Sequence, residues 1–481
     1  MLHQPNHHIS FLKSALAVTH TYQATEQIVQ WLAEQNARVS VNIEKIRFDQ
    51  LKHWSFDKDL SVIRHDSGKF FSIEGIRVKT NWGEVPEWDQ PIINQPEIGY
   101  LGFIVKEING VWHFLLQGKI EPGNINAIQL SPTLQATKSN YTRVHQGKTP
   151  PYLDYFLEVS PDNILLDQLQ SEQGARFLRK RNRNMIIRVE EDIELLPNYT
   201  WATLGQIKQL MQKDNLVNMD TRTVISGISY GNDAEPCSEA ALEELAGCNL
   251  EPLAVDFYRS MTTTSGSLHD FDQLIRFVTR SKCFFELEVT RVPLKDLRNW
   301  VIDTSSIHHR DHKYFQVIGV DVSISSREVV NWSQPMIEPA QQGLCAFVCR
   351  YINGLLHLAV QAKLECGNFD IIELAPTVQC LTGNYLNSRS VSSVPFLQYV
   401  LESPSSRLIL DTHQSEEGGR FYKEQNRNVI VMAGEELPLD LPDHFIWMSL
   451  QQAQTFIQFN NYFNIQARSL ISAISFHRFH G

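Results

Sequence analysis

Cysteine is sparse in this 481-residue chain, seven in all with no CxxC pair, which excludes a disulfide framework and fits reduced thiols. No run of about 18 apolar residues occurs, so no membrane-spanning helix is expected. The opening MLHQPNHHIS has no charged-then-apolar order of an export signal, and cytoplasmic residence is the expectation. Positive charge is also short, 43 Lys and Arg against 54 Asp and Glu for a net charge of −11, which argues against nucleic acid or an anionic membrane as partner. No GxGxxG follows a strand, and the HHRDH run from His308 matches no standard zinc spacing. Neither a cofactor nor a metal is expected.

What is present is ordinary globular composition, 42% hydrophobic and 20% charged, in a chain too long for one core. Phe103 to Ile108 and Val111 to Ile120 read as strands joined by Asn109-Gly110, a type I′ hairpin turn. Along the second arm Trp112, Phe114, Leu116, Gly118 and Ile120 share one face, the core face. His113, Leu115, Gln117, Lys119 and Glu121 share the other. Thr25 to Asn36 has the spacing of an amphipathic helix, and Leu169, Phe177 and Leu178 suggest a helix feeding a strand from Met185.

The text then repeats. QPIINQPEIGY through NY at Tyr141 recurs from Gln334 to Tyr385 without a gap, and DQLQSEQGARFLRKRNRN recurs as DTHQSEEGGRFYKEQNRN. Two units of one fold, 1–230 and 263–481, are therefore expected, joined by a connector at 231–262 that has no earlier counterpart. The fold class is α+β, each unit a mixed β-sheet flanked by helices. Both units keep the polar strand face, since His113, Gln117, Lys119 and Glu121 become His357, Gln361, Lys363 and Glu365, and both keep Gln135, Asn140 and Tyr141 as Gln379, Asn384 and Tyr385. Other positions diverge: Lys138, Ser139, Arg143, His145, Arg181 and Asp220 become Thr382, Gly383, Asn387, Arg389, Gln425 and Gln466. The first unit is richer in groups that hold phosphate or move protons.

The strings QPEIGYLGFIVKE, LLQGKIEPGN, QLSPTLQATKSNYTRVHQG, LQSEQGARFLRKRNRN and NLVNMDTRT resemble those of the NDP-hexose 2,3-dehydratases of deoxysugar biosynthesis, over almost the whole chain. The resemblance implies a dTDP-4-keto-6-deoxyglucose substrate, a Nudix-like fold in each unit and a homodimer. It also implies that a separate nicotinamide-dependent ketoreductase takes the product. The glutamate box of Nudix hydrolases is absent, which disfavours pyrophosphate hydrolysis, and Cys366 stands where the first unit has Pro122. A hydrolase acting on nucleotide sugars and a non-catalytic nucleotide-sugar-binding protein are the alternatives.

Dehydration beside a C4 ketone needs a base for the C3 proton, a donor at the enolate oxygen and an acid for the departing C2 hydroxyl. The candidates for this chemistry are Glu121, Lys119, His113, His65 and Tyr141. For Glu121 with Lys119 the alternative is a cross-strand ion pair, for His113 a satisfied core histidine, and for His65 a turn cap. Substrate-binding candidates are Gln117, Gln135, Lys138, Ser139, Asn140, Arg143, His145, Arg181, Arg183, Asp220 and Arg222, the arginines because a diphosphate suits their planar fork. Asp220 and Arg222 also suggest an ion pair. In the second unit a corresponding site would use His357, Gln361, Lys363, Glu365, Gln379, Asn384, Tyr385, Arg427 and Arg468.

Overall fold

Asn109-Gly110 and Asn353-Gly354 set the plan, because both residues of each pair take positive φ (53° and 80°, 51° and 76°), as a two-residue hairpin turn of this kind requires. One closes Gly99–Ile108 against Val111–Ile120, the other Gly343–Ile352 against Leu355–Lys363. A computed structural model describes residues 7–19, 21–56, 62–137, 149–231, 239–324, 331–382 and 394–477. Around each hairpin it builds a seven-stranded mixed sheet with helices packed on it, the α+β duplication expected from the sequence.

In the first unit, Ile164–Ser171 pairs with Arg181–Val189, which runs parallel to Gly99–Ile108. Tyr199–Thr203 pairs with the outer side of Val111–Ile120. The hairpin strands pair with each other only from Val105 and Phe114 to the turn. Beyond that they splay, because Thr133 is wedged between them: its hydroxyl donates to the Leu115 carbonyl (2.5 Å) and accepts from the Ile104 N–H (3.0 Å). Thr377 does the same in the second unit. The splay leaves the Gln117–Glu121 end facing an opening.

The segment Ile164–Val189, expected to begin as a helix, is instead two antiparallel strands joined by the loop 172–180. Of the residues that gave the helix-like spacing, Leu169 lies on the first strand, and Phe177, in the loop, is packed against Phe421 of the second unit, ring centroids 5.6 Å apart.

The units are interleaved. Val41–Ile46 leaves its own unit to pair with Phe315–Ile324, and Leu287–Val292 crosses back to pair with Ser72–Thr80. Each small sheet therefore contains one strand from the other unit. Phe48, Leu51, Phe71 and Phe177 share a core cluster with Leu294, Phe315 and Phe421, so the junction is a hydrophobic interior. Two buried arginines fasten it reciprocally: Arg222 donates to the Ser415 carbonyl and, at 2.6 Å, to the Ser469 hydroxyl, and Arg468 donates to the Ser171 carbonyl and the Thr223 hydroxyl.

The described part of the connector is helical. It holds two helices, Glu239–Gly247 and Pro252–Thr262, and the second has a counterpart in His7–Leu16. Ser14 bonds the Trp112 carbonyl and the Leu204 N–H, just as Ser260 bonds those of Leu356 and Leu450. The two helices share little sequence, since only an apolar stripe and this serine are required of them.

Candidate active site

The splayed end of the first hairpin opens on a cavity of about 1120 Å3. Its floor is a hydrogen-bonded hub at Gln135. The Gln135 amide donates to Glu121 Oε1 (2.6 Å) and its oxygen accepts from the Ser131 hydroxyl (2.8 Å), while Lys119 Nζ lies 3.3 Å from the Gln135 carbonyl. Asn218, which caps the helix Met219–Ile225, also reaches Ser131 (3.0 Å), and this cap sets Asp220 in the cavity wall.

The second unit completes the wall. Gly123 N–H donates to the Gly418 carbonyl (2.7 Å) and Lys423 N–H to the Gly123 carbonyl (2.8 Å). Any Cβ at residue 123 would overlap the Phe421 carbonyl, so the loop after Glu121 must carry glycine there. This docking brings Glu417 and Arg420 into the cavity, together with Trp332 and Gln334. At another part of the lining stand His53, Trp54, His65, Phe70 and Phe71; His65 Nδ1 is 2.8 Å from the Ser67 hydroxyl, so it fixes a turn and lines the cavity at once.

Four carboxyl groups, Glu121, Glu172, Asp220 and Glu417, therefore line one cavity with Lys119, Lys180 and Arg420. Glu121, Glu172 and Asp220 are at most 5% exposed, and Glu417 is partly buried. Burial, then Glu172, Glu121 and Glu417, push the Asp220 carboxyl well above the usual range. Burial raises Glu172 against the pull of Lys180 and Arg468, and burial with Glu121 pushes Glu417 up to about 7 despite Arg420. Lys180, whose ammonium donates to the Glu97 carbonyl at 2.5 Å, is lowered by burial. So crowded a set cannot be fully ionised at neutral pH. The cavity holds carboxylates able to accept a proton and carboxylic acids able to give one.

Of the residues singled out from the sequence, His65, Gln117, Lys119, Glu121, Gln135 and Asp220 line the cavity. His113 does not. It is 0% exposed, with Nδ1 2.9 Å from the Val111 carbonyl and Nε2 accepting the Tyr22 N–H (3.1 Å), and burial lowers its pKa. The strand is buried on both faces, so the alternation that placed His113 beside Glu121 carries it instead into a backbone-satisfied niche. Arg183 pairs with Asp167 at 2.5 Å, Arg181 lies over Phe369 (4.8 Å), and Arg222 spends its donors on the junction rather than on Asp220. None of the three lines the cavity. Tyr141, Lys138, Ser139, Asn140, Arg143 and His145 lie outside the described residues, as do Asn384 and Tyr385.

The second unit repeats the floor. Gln379 donates to Glu365 (2.9 Å), Lys363 Nζ lies 3.4 Å from the Gln379 carbonyl and 4.9 Å from the Trp82 ring centre, and Gln361 is buried on the same strand. His357 is buried like His113, bonded to the Leu355 carbonyl and the Leu268 N–H. Arg427 pairs with Asp411 (2.7 Å), and Arg468 is the second junction clamp. Around the HHRDH run, His308 and His312 stack with ring centres 4.7 Å apart. Among the described residues no group of three or more His, Cys, Asp or Glu is arranged to hold a metal ion, and no helix is long and apolar enough to cross a membrane.

Sequence reasoning missed Lys180, Glu417 and Arg420 as parts of this site, and took Glu172 for a helix cap with a site role as the alternative. The signal was in the repeat: the aligned runs QSEQGARFLRK and QSEEGGRFYKE place Gln173 against Glu417 and Lys180 against Glu424. That these runs face the opposite unit's hairpin is a product of the interleaving.

A family model described as NDP-hexose 2,3-dehydratase matches the chain twice, over residues 25–228 and 271–474. A dTDP-4-dehydro-6-deoxy-alpha-D-glucopyranose 2,3-dehydratase of Saccharopolyspora spinosa is 43% identical over 96% of this chain and 94% of its own length. Proteins of the same name from Streptomyces violaceoruber and Amycolatopsis orientalis are 40% and 37% identical, over 92% and 96% of this chain and 95% and 92% of theirs.

Proposed function

The chain belongs to the NDP-hexose 2,3-dehydratase family, and from that premise we propose that it removes water across C2 and C3 of dTDP-4-keto-6-deoxyglucose in the first unit's cavity. The observation that carries this reading is the clustering of four carboxyl groups, two of them with raised pKa and so able to hold a proton, with Lys119 and Lys180 in one cavity, since elimination beside a ketone needs an acid and a base together.

The C4 ketone acidifies the C3–H. Glu121, oriented by the Gln135 amide, takes that proton, and Lys119 on the same strand supplies the positive donor for the enolate oxygen. The enolate electron pair then forms the C2–C3 double bond as the C2–O bond breaks, and the enol tautomerises to a 3,4-diketo-2,6-dideoxy sugar. The aromatic part of the lining, Trp54, Phe70, Phe71 and Trp332, offers flat apolar surface for the nucleobase.

The wider reading keeps the Nudix-like description of each unit, a homodimer, cytoplasmic residence, and hand-over of the reactive diketone to a separate ketoreductase. The experiment is incubation with dTDP-4-keto-6-deoxyglucose in the absence of added metal. Loss of water to a diketo sugar is expected; release of dTMP only on adding Mg2+, or binding without turnover, would overturn the reading.

A further inference from the structure

The two units supply an internal control for protonation. At the second unit's site, Gln173 Nε2 of the first unit donates to Glu416 Oε2 at 2.5 Å, and Glu416 Oε1 accepts from Asn426 at 2.5 Å. In the first, Asn182 keeps its bond to Glu172 Oε1 (2.7 Å), but the partner that replaces Gln173 is Glu417. Glu172 Oε2 and Glu417 Oε2 are both buried without a hydrogen-bond partner, while Glu417 Oε1 accepts the Gly419 N–H (3.0 Å). An amide has an N–H to offer a neighbouring carboxylate, and an ionised carboxylate has none. Only a protonated carboxyl reproduces the donor that the second unit keeps at this place.

We propose that Glu417, contributed by the second unit, is the acid that protonates the departing C2 oxygen, and that between turnovers it keeps this proton against Glu172. The inference rests on the dehydratase reading. The groups facing Glu417 are Glu121 from the hairpin strand, Glu172 and Lys180 from the loop after Ile164–Ser171, Asp220 from the helix Met219–Ile225, and Arg420 from its own loop. Three carboxyl groups around it favour retention of the proton, and two cations keep the cluster near neutrality. In the elimination the C2–O bond breaks with its electron pair on oxygen, the Glu417 proton moves to that oxygen to give water, and Glu417 is left ionised. The proton that Glu121 took from C3 balances this loss, so the substrate gives enol and water with no other reactant.

The test is Glu417→Gln, which installs the amide that Gln173 supplies at the second unit's site, assayed in D2O with dTDP-4-keto-6-deoxyglucose. Release of diketo product is expected to fall by roughly 10² to 10⁴-fold, while exchange of the C3 hydrogen for deuterium continues, because base and enolate donor are untouched. Elimination at a wild-type rate, or loss of C3 exchange in the folded variant, would overturn the proposal. If the variant does not fold, the wild-type protein decides: elimination should decline as pH rises through about 7 while C3 exchange persists, and a flat profile would refute the role. A wild-type protein that neither exchanges nor eliminates removes the dehydratase reading itself.

Discussion

In both units a glutamate at the end of the second hairpin strand accepts the same amide, Glu121 from Gln135 at 2.6 Å and Glu365 from Gln379 at 2.9 Å, with a lysine two residues before it. The groups facing that floor diverge. Asp220, Glu417 and Lys180 around the first unit's floor correspond to Gln466, Gln173 and Glu424 around the second's, Glu417 and Gln173 each coming from the opposite unit. A floor that survives duplication in both copies is explained by sheet architecture, since Gln135 and Gln379 tie the splayed strands together. The walls, which no strand pairing requires, are where one copy keeps proton-bearing groups and the other replaces two of them with amides.

The comparison is broken most severely through the lysines. Lys119→Ala should lower kcat/KM by roughly 10² to 10⁴-fold, whereas Lys363→Ala should leave it within about threefold, under 1 kcal/mol; steady-state kinetics on both variants decides. Next come the junction clamps, where the units should behave alike. Arg222→Ala and Arg468→Ala each strand a buried carbonyl and a hydroxyl of the opposite unit, so both should cost on the order of 2–4 kcal/mol in denaturant unfolding. A large inequality would show that the interleaving is not reciprocal in energy.

Glu417 also gives a stability prediction with a definite sign. Its carboxyl titrates at about 7 in the folded protein against 4.5 ordinarily, so the folded state binds the proton more tightly. Stability is therefore greatest below about pH 4.5 as far as this group is concerned, falls between 4.5 and 7, and stays reduced above. Glu417→Gln should raise the melting temperature at pH 8 while changing it little near pH 4.5, even as it impairs turnover. The smallest effect belongs to the partly exposed pairs: Arg183→Ala and Arg427→Ala should each cost less than about 1 kcal/mol and leave kcat/KM unchanged.

The hairpin was legible in the sequence because Asn-Gly forces its turn, and the duplication because long strings recur in register. Glu121, Lys119, Gln135 and Asp220 were legible as a set because both units could be compared at each of them. His113 was misplaced because alternation gives the face of a side chain and says nothing of whether that face is open or packed. The arginines of RKRNRN looked like a phosphate site, yet a strand beside Asp167 makes Arg183 a surface ion pair. Nothing in VNIEKI announces that Val41–Ile46 will join the other unit's sheet, since its pattern of side chains suits an edge position in either. With that exchange unseen, Glu417 and Arg420 had no reason to be placed beside Glu121.

The central claim is that the first unit's cavity carries the chemistry through Glu121. The direct measurement is kcat/KM for Glu121→Gln and Glu365→Gln side by side, with folding of each checked by circular dichroism. The account predicts a loss of roughly 10² to 10⁴-fold for the first and a change within about threefold for the second. Equal losses from the two substitutions would contradict it.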